Sequence, residues 1–93
     1  MEETLNKLRQ LGYTIQLPKG RDHTLYLVRQ AKDYTKQIFL EYTKKEVKVY
    51  VYTIFKTIRL AGILTPLESE LLLDYVVELG YDGYTVVEEE VEN

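Results

Sequence analysis

Four runs rich in β-branched and aromatic residues follow one another with only short polar connections between them: Tyr13–Leu17, Thr24–Gln30, Lys36–Thr43 and Val47–Ile54. A parallel pair of strands needs a crossover of a dozen or more residues, and none of these connections is that long. Consecutive runs therefore pair antiparallel, as a meander. Pro18-Lys19-Gly20-Arg21-Asp22 and Lys44-Lys45-Glu46 supply the turn residues, and a polar stretch through Asp33 makes the middle connection. Alternation along a strand sorts the side chains onto two faces. One face carries Ile15, Leu17, Leu25, Leu27, Ile38, Leu40, Val47, Val49 and Val51, an aliphatic surface suited to helices. The other carries Tyr26, Val28, Phe39, Glu41, Lys48, Tyr50 and Tyr52, which is aromatic and mixed polar.

Helical signals flank the meander. Residues 2–11 hold Leu5, Leu8 and Leu11 on one stripe, with acids in the first turn, bases near the last, and Gly12 placed to close the helix. Phe55–Leu64 reads as a second helix stopping near Gly62. Thr65-Pro66-Leu67-Glu68 has the pattern of a capping box with proline at the first helical position. It opens a third helix that runs to Leu79, with Leu67, Leu71, Leu72, Tyr75, Val76 and Leu79 as its apolar stripe. Asp82-Gly83 marks a turn, Tyr84–Val87 is a candidate fifth strand, and Glu88–Asn93 reads as a frayed tail.

The expected architecture is a single α+β domain over residues 1–93. It has a helix over 1–12, a β-meander over 13–54, two helices over 55–80, and a short strand and acidic tail over 81–93. The antiparallel sheet has four strands, or five with Tyr84–Val87, and is covered on one face by the first helix and the two C-terminal ones. Ninety-three residues can build one core of this kind but not two. The composition, 45% hydrophobic and 29% charged, is that of a globular chain. The chain has no cysteine, which fits a reducing, cytoplasmic compartment. Apolar runs reach only three or four residues, so no transmembrane helix is expected, and the acidic Met-Glu-Glu start does not read as a signal peptide.

Catalysis has few candidates. His23 is the one histidine and Ser69 the one serine; neither sits in a nucleophile motif. No phosphate-binding glycine loop and no metal-ligand spacing occurs, so no catalytic residue, metal ligand or cofactor is expected. The reading is of a non-enzymatic protein that acts by association.

Charge then suggests the partners. Residues 1–59 hold all 12 Lys and Arg against 6 acids, a net +6, and residues 60–93 hold 9 acids and no base. The first expectation is a protein partner with a basic surface, met by Glu70, Asp74 and Glu78 at helical spacing and extended by Asp82 and the Glu-rich tail. Such a row of carboxylates would also mimic the spaced phosphates of nucleic acid. The alternative is nucleic-acid binding by the strand region. There Arg29, Lys32, Lys36, Lys44, Lys45 and Lys48 would hold phosphates, and Tyr26, Phe39, Tyr50 and Tyr52 would stack on bases. Self-association is a third candidate: opposite halves meeting head to tail, or a tyrosine-rich face or edge strand pairing across a two-fold axis as a homodimer.

In layout the chain resembles small phage-encoded anti-CRISPR proteins that block an effector nuclease by occupying its nucleic-acid channel. The shared features are the short first helix, the strand Tyr13-Thr14-Ile15-Gln16-Leu17, the antiparallel meander and the acidic helical end. The resemblance implies a viral or phage accessory protein working in the cytoplasm of its host, with Glu70, Asp74 and Glu78 meeting the nuclease.

Overall fold

The computed structural model describes residues 2–17, 23–42, 46–80 and 85–89. Helix α1 (Glu2–Gln10) carries Glu2 and Glu3 in its first turn and Lys7 and Arg9 in its last, as the helix dipole favours. It buries Leu5 and Leu8. Gly12, at φ 100°, turns the chain out of the helix. Strands β1 (Thr14–Gln16), β2 (Thr24–Gln30), β3 (Thr35–Tyr42) and β4 (Glu46–Phe55) then form the expected antiparallel meander. Leu25 pairs with Leu40, Leu27 with Ile38, Leu40 with Val49 and Ile38 with Val51.

The helix expected over Phe55–Leu64 does not form. Strand β4 runs on to Phe55, Lys56-Thr57 makes a two-residue turn, and β5 (Ile58–Ala61) returns antiparallel along β4. The alternation of the fourth run continues through Phe55 and resumes at Ile58 after two polar residues, which is hairpin spacing. Gly62 is not a helix stop. It lies so close to β4 that a Cβ there would come within 2.7 Å of Val51 Cγ1, and its N–H donates to the Val51 carbonyl at 2.8 Å.

One C-terminal helix therefore remains, α2 (Pro66–Glu78). It starts as expected: Thr65 accepts from the Glu68 N–H, Glu68 reaches back to the Thr65 N–H, and Pro66 occupies the first turn. The chain returns as β6 (Thr85–Glu89), which pairs with β4 in parallel and carries the strand through Glu88 and Glu89, two residues expected to fray. The outer edge of β4 is thus shared end to end, β5 against Tyr52–Phe55 and β6 against Glu46–Tyr50. The sheet has six strands, in the order β1-β2-β3-β4-β5 with β6 beside β5 on the edge of β4.

Both helices contribute to one core on one side of the sheet. Leu5 and Leu8 of α1, and Leu71, Leu72, Tyr75 and Val76 of α2, join Leu25, Leu27, Ile38, Leu40, Val47, Val49 and Val51 in a single buried cluster. Each fully buried aliphatic side chain is worth about 1.5–3 kcal/mol of transfer free energy, so this layer fixes which side of the sheet is covered. Leu17, expected inward, lies beyond the end of β1 and is exposed.

Candidate functional site

The sheet side away from the core is bare of helix among the described residues. The registers arrange its side chains in rows across the strands. Gln16, Tyr26, Phe39 and Tyr50 form one row, and Thr14, Val28, Gln37, Tyr52 and Ala61 form the next. Three neighbouring strands thus set Tyr26, Phe39 and Tyr50 side by side, with Tyr52 one rung along. The Tyr26 and Phe39 rings lie 4.4 Å apart at 32°, close to offset stacking. All four are half-buried, so their edges pack while part of each ring stays accessible. A shallow depression of about 280 Å³ runs over this face, lined by Gln37, Phe39, Glu41, Tyr50, Tyr52 and Arg59.

Cations flank the aromatic row. Lys48, opposite Glu41, stands in the row beyond Tyr50. At the other end, the Arg59 guanidinium lies over the Tyr52 ring, 4.7 Å from its centroid, in cation–π geometry. The same end of the sheet holds two turns, 31–34 and 56–57, which carry Lys32 and Lys56. A second depression of about 310 Å³ lies there, lined by Gln30, Lys32, Asp33, Tyr34, Ile54 and Lys56 among others. Lys32, Lys48, Lys56 and Arg59 are the cations of this surface and Asp33 and Glu41 its acids, and the β4–β6 register brings Glu89 in beside Tyr50 at the edge of the row.

The structure separates the expected nucleic-acid set. Lys48, Tyr50 and Tyr52 share the bare face. Arg29 does not: it alternates with Leu25 and Leu27 on the helix side, where its guanidinium lies 5.3 Å from the centroid of the buried Tyr13 ring. Lys36 is also on that side and is only 5% exposed. Lys44 and Lys45 lie outside the described residues.

The expected acidic row is divided as well. Glu70 and Asp74 are exposed on α2, with no ion pair among the described residues. Glu78 is one turn further round the helix, because four residues advance by about 40° more than a full turn; its carboxylate accepts from the Thr4 hydroxyl of α1. Asp82 lies outside the described residues. The outward side of α2 is not purely polar, since Leu73 and Val77 are exposed beside the two acids.

Beneath α2 lies a buried polar cluster. The Glu68 carboxylate, 1% exposed, receives the Lys36 ammonium at 2.6 Å, the Tyr13 hydroxyl, and the Thr65 N–H at 3.0 Å. Burial alone would push the Glu68 carboxyl up; the three donors outweigh it and hold it below its ordinary value. Burial, with the hydrogen bond to Glu68, pushes the Tyr13 phenol up. The chemistry of this cluster is that of a clamp holding the first turn of α2 against β3 and the α1–β1 junction.

His23 sets its ring edge-on against Tyr42, 5.6 Å between centroids, and Ser69 is exposed in the first turn of α2. Among the described residues, no three His, Cys, Asp or Glu side chains gather where they would hold a metal ion. No described helix is long and apolar enough to cross a membrane. Sequence reasoning misses Lys56 and Arg59 as surface cations because both fall in the segment read as a helix. The alternation Phe55, Ile58, Leu60 around a two-residue break is the signal that finds them.

The chain matches no family model, no curated protein and no solved structure. The fold defines it as a small α+β domain whose sheet, among the described residues, carries helices on one face alone.

Proposed function

We propose that the protein acts by association and not by catalysis, and that the bare face of its sheet docks an unpaired strand of nucleic acid. One observation carries this reading: Tyr26, Phe39 and Tyr50 stand in a single row across three adjacent strands on a face without helix among the described residues, with Tyr52 and its Arg59 one rung away. An aromatic ring stacks on any base, and a base is available to it only when unpaired. Lys32, Lys48, Lys56 and Arg59 at the two ends supply the phosphate contacts, which favour binding without reading sequence. The acids of α2 lie across the sheet from this face, so they do not stand between it and a polyanion.

Fluorescence anisotropy with short single-stranded DNA and RNA oligonucleotides, and with a duplex of the same sequence, tests the reading. The single strands bind at low salt, the duplex binds more weakly, and affinity falls with a log–log salt slope of about −3 if four phosphates are neutralised at roughly 0.7 each. Phe39→Ala, Tyr50→Ala and Tyr52→Ala each weaken binding by about 1–3 kcal/mol. Absence of single-strand binding at low salt refutes the proposal.

A second reading is supported by the outward side of α2. Leu73 and Val77 exposed beside Glu70 and Asp74 suit a protein partner whose apolar side chains are flanked by Lys or Arg. In that case the protein would act as an inhibitor of a nucleic-acid-binding protein, in the manner of the phage-encoded proteins it resembles in layout. Glu70→Lys with Asp74→Lys would then abolish capture of that partner.

A further inference from the structure

We propose that two copies of this chain pair through the outer edges of β5, continuing the sheet across a two-fold axis. Strand β5 ends the sheet order and has no neighbour on its far side among the described residues. Its inward hydrogen bonds follow from Gly62, whose N–H points at β4. Backbone groups of an antiparallel strand alternate in direction, so Ile58 and Leu60 also face β4, while Arg59 and Ala61 point their N–H and C=O outward. Natural edges are commonly protected by proline, a bulge or charged side chains, lysine above all; Ile58-Arg59-Leu60-Ala61 has no proline or lysine, and its one charge, Arg59, lies over Tyr52.

The side chains of this edge fit a second copy of themselves. Ile58 and Leu60 lie on the helix side of the sheet with Phe55, and α2 stops short of them: its first turn is pinned over Lys36, whose partner on β4 is Thr53. The uncovered corner is apolar. Ile58 is 60% exposed and Ile63 83%, with Phe55, Leu60 and Leu67 also exposed. Together these five side chains present on the order of 500 Å² per copy, so a two-fold contact removes about 1,000 Å², the size at which a specific interface begins.

Charge selects the register. Pairing centred on Arg59 would set two guanidinium groups directly opposite, which is destabilising. Pairing centred on Leu60 sets Leu60 against its own copy, Ile58 against Gly62, and Arg59 against Ala61. The outward groups of Arg59 and Ala61 then meet as two hydrogen-bonded pairs. Arg59 is already drawn back over Tyr52, away from the edge. The contact is isologous and closed, so it stops at a dimer.

Sedimentation of the full chain, without oligonucleotide, across a dilution series tests this independently of the nucleic-acid reading. The wild type moves reversibly between one-chain and two-chain mass. Leu60→Lys, which places two ammonium groups on the axis, weakens the dimer at least about tenfold. Ala61→Pro removes an outward N–H from each copy, tolerable because that N–H bonds no neighbour among the described residues. It weakens the dimer comparably while circular dichroism and Tm stay near wild type. Leu73→Lys, on the outward side of α2, leaves the dimer intact. A one-chain mass over the whole series, or a dimer whose Kd neither edge substitution changes, overturns the proposal.

Discussion

The Lys36 ammonium lies 2.6 Å from Glu68 Oε1, and the same oxygen accepts the Thr65 N–H that begins α2. One carboxylate therefore caps the helix and neutralises a buried cation of β3. Removing either partner leaves a buried charge, which costs about 3–5 kcal/mol. Lys36→Met should destabilise by that amount in urea unfolding. Glu68→Gln should cost a similar amount through the stranded ammonium, even though glutamine can still serve the capping box. The double variant Lys36→Met/Glu68→Gln should lose much less than the sum of the singles, since no unpaired charge then remains.

Stability should fall at both ends of the pH range, for different residues. The Glu68 carboxyl is held below its ordinary 4.5 in the folded chain. Its contribution is full above that value and is lost as pH falls through the lowered folded pKa. The Tyr13 phenol is raised above its ordinary 10.0, so its contribution is full below 10 and is lost as pH climbs beyond. Chemical-denaturation midpoints measured from acid to alkaline pH should show both limbs. Tyr13→Phe should flatten the alkaline limb, and Glu68→Gln should flatten the acid one.

Lys56 adopts φ 56°, the left-handed conformation that a lysine enters at a cost of about 1–2 kcal/mol. Lys56→Gly relieves that cost, partly offset by the greater freedom of glycine in the unfolded chain. The variant should be more stable by about 0.5–1 kcal/mol, a Tm higher by a few degrees. If the bare face binds single strands, the same substitution weakens oligonucleotide binding and reduces the salt slope by about 0.7. A more stable protein that binds less well is the pattern expected of a strained residue kept for contact with a ligand.

Much of this fold can be read directly from residue alternation. The strands from Thr24 to Ile54, the two faces of the sheet, and the start of α2 at Thr65 follow from period-two patterning and capping chemistry, because both are local. The clamp is half legible: the alternation that turns Ile38 and Leu40 inward also turns Lys36 inward, but its partner at Glu68 is 32 residues away and no local rule names it. The β4–β5 hairpin is easily taken for a helix because Lys56-Thr57 contains no glycine or asparagine, the residues that ordinarily mark a left-handed turn, and only the alternation on either side of the two-residue break betrays it. Misplacing that hairpin hides Arg59, and with it one end of the aromatic face. The parallel return of β6 is long-range pairing, set by the free half of the β4 edge and not by residues 85–89 alone.

Charge reversal on α2 separates the two functional readings. Glu70 and Asp74 are exposed with no ion pair among the described residues, so Glu70→Lys with Asp74→Lys should change stability by no more than about 0.5 kcal/mol per site. The net charge moves from −3 to +1, since each substitution adds two units. These positions face away from the sheet, across a layer roughly 10 Å thick, about one Debye length at 0.1 M salt. If single strands bind the bare face, the double variant should bind them slightly more tightly at low salt and equally at high salt, because only a screened, long-range term has changed. Stacking substitutions such as Tyr50→Ala should weaken binding at every salt concentration. An oligonucleotide affinity that responds to Glu70 and Asp74 at high salt but ignores Tyr50 would place the contact on α2 and remove the sheet from the function.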